Sequence, residues 1–196
     1  MHEVAPRGRR SDSMANHARI LEAARSLLAE RGLDLEVDDV ARRAGVGVGT
    51  IYGHFTNRDI LVRAVIVQLM DEGVARFRAA AEIEDPVEAL RQIPLSCAVD
   101  QALFAVFQDP RSAKFQVDIE KKGYSFVAEF NALLAGILER GIQSGAFRQG
   151  LDPRLAASAI LGSIGSVLGD YTRDRPLDDL VRSLADLHRH MVAATR

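Results

Sequence analysis

The sequence predicts an all-α protein. Apolar residues recur at three- and four-residue spacing, alternating β-branched runs are scarce, and glycines and prolines cut the chain into helix-length pieces. The first helix is expected over residues 17–31, with Ile20, Ala24, Leu27 and Leu28 on one face and Gly32 ending it. A shorter helix follows over 37–44. Val37, Val40, Ala41 and Ala44 form its apolar side, and Gly45 closes it after Arg42 and Arg43, which suit a helix C-terminus. Only Val46 and Gly47 then precede a third pattern, 48–55, so the order is helix, tight turn, helix.

The Thr56 hydroxyl can cap the next helix, whose apolar pattern runs through Ile60, Leu61, Ala64, Val65, Leu69 and Phe77. Asp85-Pro86 opens another, in which Pro94 predicts a kink or a split. After a second break at Asp109-Pro110, a long helix is expected to carry Phe115, Phe126, Phe130, Leu134 and Leu138 and to stop within 141–145. Asp152-Pro153 and Pro176 start the last two.

Composition narrows the function. A single cysteine among 196 residues cannot form an intrachain disulfide, which fits a reducing compartment. Residues 1–13 contain Arg7, Arg9 and Arg10 but no apolar core of a signal peptide, and no apolar run reaches membrane-spanning length. The expectation is a cytoplasmic protein with no membrane partner. Its five histidines leave residues 56–187 empty, no glutamate is followed by histidine three positions on, and His188 and His190 point apart on a helix. We therefore expect no metal, no cofactor and no catalytic set: the chain is not read as an enzyme.

The net charge of −2 gives no global argument for nucleic acid. Its distribution does, because residues 40–58 hold Arg42, Arg43, His54 and Arg58 and no acidic group. At 100° per residue, Val48, Ile51 and Phe55 share one side of the third helix, while Gly49, Thr50 and Gly53 share the other. That is the division a recognition helix needs, with one face on its own core and one in the major groove. Tyr52 and His54 fall on the flanks, where a phenol and an imidazole can bond phosphates, and Thr56 and Arg58 add a hydroxyl and a charge at the next helix start.

The run VDDVARRAGVGVGTIYGHF, residues 37–55, with a basic residue three positions later, resembles the signature of the TetR family of transcriptional regulators. The resemblance implies an all-α homodimer: a helix-turn-helix domain with a basic N-terminal arm (1–63), then a helical ligand-binding and dimerisation domain (64–196). It implies binding to a palindromic operator in double-stranded DNA, usually in repression, with release by a small-molecule effector. Thr50 then matches a base or backbone contact, and Tyr52, His54 and Arg58 match phosphate contacts. Three positions depart from the pattern. Glu36 stands where a threonine or serine often caps the helix, Gly47 replaces a common capping serine, and Gly53 replaces a large or basic side chain. With the groove face reduced to Thr50, specificity is expected to lean on DNA shape, on thymine methyl contacts and on the arm bearing Arg7, Arg9 and Arg10. The same bare face keeps open an alternative, a helical small-molecule-binding or interaction module without sequence-specific DNA binding.

In the second domain, six of the eight phenylalanines lie within residues 86–170. Aromatic-rich helices can form a simple core or enclose an apolar effector. Candidate lining residues are Phe104, Phe126 and Phe130, with Cys97, Asp100, Gln101 and Asn131 as polar groups. The last two helices carry broad apolar stripes, with Leu161, Ile164 and Leu168 on one and Leu180, Leu184 and Leu187 on the other, which suggests a two-fold four-helix dimer interface.

Overall fold

A computed structural model describes residues 7–98, 102, 109–115, 126–171 and 176–194, with the backbone alone at 7–10, 97, 98, 126, 168–171 and 177. Among these residues the regular structure is helical, apart from one isolated antiparallel bridge between Phe147 and Ala193.

Helix α1 (Arg7–Arg31) begins well before residue 17, so the basic segment expected as an arm is helical from Arg7 onward. Arginine, methionine and alanine extend a helix readily, and residues 9–19 contain neither proline nor glycine. Gly32, at φ 58, ends α1 and leads into a single 3-10 turn, Gly32–Asp34. Then come α2 (Val37–Ala44), α3 (Val48–His54) and α4 (Arg58–Ala81). The cap of α4 is Asn57 rather than Thr56: its Oδ1 accepts from Ile60 N at 2.9 Å. Helix α5 (Pro86–Ala98) runs on through Pro94, where a kink or split was expected. Past a 3-10 turn, Pro110–Ser112, lie α6 (Phe126–Gln143), α7 (Pro153–Tyr171) and α8 (Leu177–Val192). The three Asp-Pro starts share one device. Asp85, Asp109 and Asp152 each accept a backbone N–H at 2.9 Å, from Val87, Arg111 and Arg154, while the proline supplies a helical φ.

Two apolar clusters follow from this layout. The first joins Ile20, Leu27 and Leu28 of α1 to Val40, Ile51, Phe55 and α4 from Leu61 as far as Val74, and it also takes in Ala102 and Phe115. The second gathers Phe77, Leu90, Ile93, Leu134, Leu138, Ile160 and Leu184 from α4 to α8. Helix α4 runs through both clusters, and Phe130 packs against both, its ring 4.7 Å from that of Phe77.

The residues nominated for a dimer interface divide. Ile164, Leu180 and Leu184 are buried in the chain's own interior, because α8 packs on α5 as well as on α7, a neighbour that periodicity could not reveal. Leu187 is 49 % exposed and Leu161 is half-buried, while the side chain of Leu168 lies outside the described residues. Leu155 and Met191 are further exposed apolar side chains on the same two helices.

Between α7 and α8 sits a fully buried imidazole. His188 Nε2 lies 2.8 Å from Ser163 Oγ, whose hydroxyl donates to the Ile160 carbonyl at 2.7 Å. With the hydroxyl hydrogen so placed, Nε2–H donates to Ser163, and Nδ1 is left as a lone pair without a partner. Desolvation by burial pushes the pKa of His188 down to about 4. Among the described residues, no helix is long and apolar enough to cross a membrane.

Candidate nucleic-acid interface

The turn between α2 and α3 is set by Gly45, whose φ of 65 and ψ of 39 place it in the left-handed region that favours glycine. Val46 N then bonds Ala41 O at 3.1 Å, which closes the end of α2. Gly47 caps α3 from an extended conformation, and its carbonyl accepts from Thr50 N at 2.8 Å. The short α3 is held by Ile51 and Phe55, both buried, with Val48 packed at the rim of the same cluster.

This arrangement turns the other side of α3 outward. Tyr52 is 52 % exposed, Gly49 and Gly53 are open, and a Cβ built on either glycine would meet nothing within 4 Å. Thr50 and His54 are half-buried, and Thr56 is exposed. Thr50, Tyr52, His54, Thr56 and Gly49 thus lie along α3 and just past its end.

Arg42, Arg43 and Arg58 each have partners within the protein. Arg43 also donates to Ser26 Oγ, and its forked pair with Glu30, at 2.6 and 2.9 Å, holds the Glu30 carboxyl below its ordinary value. Arg42 pairs with Asp39 at 2.7 Å, and Asp39 also takes Arg31 at 2.7 Å. Arg42 keeps 77 % of its side chain in solvent and can exchange this partner at little cost. Arg58 turns inward. Its Nε donates to Leu35 O at 2.8 Å and its Nη2 to Leu33 O, so the guanidinium fastens the turn between α1 and α2. Periodicity put a charge at the start of α4 but could not see the carbonyls of a turn lying opposite it.

Two further ion pairs join this turn and the start of α4 to the 109–115 segment. Arg111, paired with Asp109, reaches Asp34 at 2.7 Å, and Lys114 reaches Asp59 at 2.8 Å. Arg111 hydrogen bonds hold the carboxyls of Asp34 and Asp109 below their ordinary values, and a Lys114 hydrogen bond does the same for Asp59. His17 of α1 was not singled out by pattern. Its ring stacks on Phe55 at 5.0 Å and meets His54 edge-on at 5.5 Å. Its place three residues before Ile20, nearly one turn earlier on the same face, was the available signal.

Among the ligand-binding candidates, Phe130 sits between the two clusters. Asn131 is half-buried, donating to Val127 O at 2.9 Å and accepting from Ser158 Oγ at 3.2 Å. Asp100, Gln101 and Phe104, and the side chains of Cys97 and Phe126, lie outside the described residues.

Comparison with known proteins bears on this geometry. The family model described as bacterial regulatory proteins, tetR family, matches residues 20–65, which contain all of α2 and α3. The transcriptional repressor KstR2 of Rhodococcus jostii is 30 % identical over 155 residues, covering 74 % of each chain. The chain belongs to the TetR family. This TetR-family protein is a DNA-binding transcriptional regulator, and α3 is the second helix of its helix-turn-helix. The fatty acid metabolism regulator protein of Bacillus subtilis is 28 % identical over 174 residues, 84 % of this chain and 88 % of that one. The solved structure of FadR from Bacillus subtilis in complex with stearoyl-CoA superposes with a TM-score of 0.68 at 27 % identity, over 87 % of this chain and 96 % of that one. These relatives are regulators of transcription, and a binding module without DNA recognition is the less favoured reading.

Proposed function

We propose that this chain is a homodimeric repressor whose two α3 helices read a two-fold symmetric operator, and which an apolar small molecule releases. The observation that carries the reading is the outward edge of α3, where Tyr52 projects beside Gly49, Thr50 and Gly53 while Ile51 and Phe55 anchor the opposite side. In this reading Thr50 and Gly49 approach bases, Tyr52, His54 and Thr56 contact phosphates, and Arg42 exchanges Asp39 for phosphate. Arg43 and Arg58 orient the head from behind. Residues 1–63 act as the reading domain and 64–196 as the sensing and pairing domain, in the cytoplasm.

Dimerisation through α7 and α8 would use Leu161, Leu187, Leu155 and Met191, and would set the two α3 helices about 34–36 Å apart, one turn of duplex. An effector lodged near Phe130 and Asn131 touches the helices that flank α4, and it would act by favouring a different spacing. The stearoyl-CoA complex of the Bacillus subtilis regulator makes a long-chain acyl thioester the first effector to try. The test is a gel shift of the full chain on DNA upstream of its own coding region, at fixed salt, with and without stearoyl-CoA. A specific shift that the thioester abolishes is the expected result. No shift on that DNA, or on any duplex selected from a random pool, would overturn the reading.

A further inference from the structure

Helix α1 brings a second imidazole to the end of α3. His17 lies parallel to the Phe55 ring, with 24° between the planes and 5.0 Å between centroids, and it meets His54 edge-on at 5.5 Å. Both imidazoles are half-buried, so each is packed on one side and open on another. Among the described residues, neither makes a hydrogen bond to another protein group. A position that served packing alone would be filled at lower desolvation cost by phenylalanine or leucine, since an imidazole carries N–H and N groups that need partners.

The surroundings point to an anion. Residues 13–21 of α1 and 40–58 around α3 contain no aspartate or glutamate, and the nearest formal charge on α1 is Arg19, bonded to Asn16 at 2.6 Å and exposed. Tyr52, on the same end of α3, is 52 % exposed. We propose that His17 is a positioning residue for DNA: its stack on Phe55 steadies His54, and its own N–H donates to a phosphate on the groove wall that His54 faces. The proposal rests on the DNA-binding function of α3. It adds α1 to the interface, so that each reading head grips the backbone with a pair of imidazoles supplied by two different helices. Such contacts fix register and carry no sequence information themselves.

The test uses the full chain and a fluorescent duplex enriched from a random pool by the wild-type protein, with anisotropy titrations between about 50 and about 200 mM salt. His17→Phe keeps the ring stack and removes the N–H. His17→Arg keeps a planar group over Phe55 and restores donors. His17→Phe is expected to melt like the wild type but to bind about tenfold more weakly, the loss of one phosphate hydrogen bond. His17→Arg is expected to bind at least as tightly as the wild type, with a steeper salt dependence. Equal affinity of His17→Phe and wild type would assign His17 to packing and overturn the proposal, as would equal weakening of both variants. Failure of the wild type to enrich any duplex would overturn the DNA-binding reading as well, a separate and recognisable result.

Discussion

Arg58 donates its Nε hydrogen to the carbonyl oxygen of Leu35 at 2.8 Å, across the turn that sets α2 against α1. A second donation, to Leu33, makes the guanidinium a clasp on this turn. Replacing Arg58 with methionine keeps the stem but leaves two carbonyls without their donor, and is expected to cost about 1.5–3 kcal/mol of stability. Urea unfolding checks the cost. The salt dependence of DNA binding, measured on the folded fraction, is expected to stay unchanged, whereas a phosphate contact would flatten it.

Glu36 occupies the cap position of α2 in extended backbone, φ −107 and ψ 147, and makes no capping hydrogen bond. Glu36→Thr supplies a hydroxyl for the free amides and removes an anion from the start of α2, the first helix of the helix-turn-helix. Stability is expected to rise by about 1 kcal/mol and duplex affinity by several fold, the latter most at low salt. Melting curves and anisotropy at two salt concentrations measure the two effects separately.

His188 is neutral in the fold and has a pKa near 4, against an ordinary value of 6.5. The unfolded chain therefore binds the proton more tightly than the folded one. Stability is at its full value above pH 6.5, falls as the pH drops towards 4, and levels off below that, for a total on the order of 3 kcal/mol. Denaturant midpoints at pH 7.5, 6 and 5 should decline in the wild type and stay nearly level in His188→Leu. The carboxylates held low by arginine and lysine keep their contribution until the pH falls to their ordinary values near 4, so the decline between pH 7.5 and 5 belongs to His188.

Gly141 approaches the Phe147 ring so closely that a Cβ would collide with it. Gly141→Ala must push Phe147 out of a fully packed site, and the expected cost is about 1–3 kcal/mol despite the better helix propensity of alanine. Thermal melting measures it, and a second variant, Phe147→Leu in the Gly141→Ala background, should recover part of the loss.

Periodicity located α2 and α3 because each has one buried face in the first cluster. Val40, Ile51 and Phe55 are buried as their spacing required, and Gly45 takes the left-handed conformation that glycine favours at a helix end. What pattern could not supply was partnership between distant segments. The bonds of Arg58 to Leu33 and Leu35 cross more than twenty residues, so no local pattern announced them. Leu180 and Leu184 looked like interface residues because nothing in α8 names α5 as its neighbour. His17 went unnoticed because its stacking partner is Phe55, in another helix. Asn57, by contrast, was within reach: asparagine is a stronger cap than threonine, and it stands immediately before Arg58, the first residue of α4.

Phe115 is buried in the same cluster as Ile20, Ile51 and Phe55, although the family match stops at residue 65. The reading head is therefore not a detachable cassette. A chimera that joins this head to a relative's sensing half would inherit a hole where Phe115 stood and lose the Arg111 and Lys114 tethers. Exchange of specificity between such regulators should therefore succeed by altering the surface of α3, where Gly49 and Gly53 leave room, rather than by swapping whole heads. Recombination breakpoints among functional hybrids would then avoid residue 65 unless residues 109–115 travel with the head.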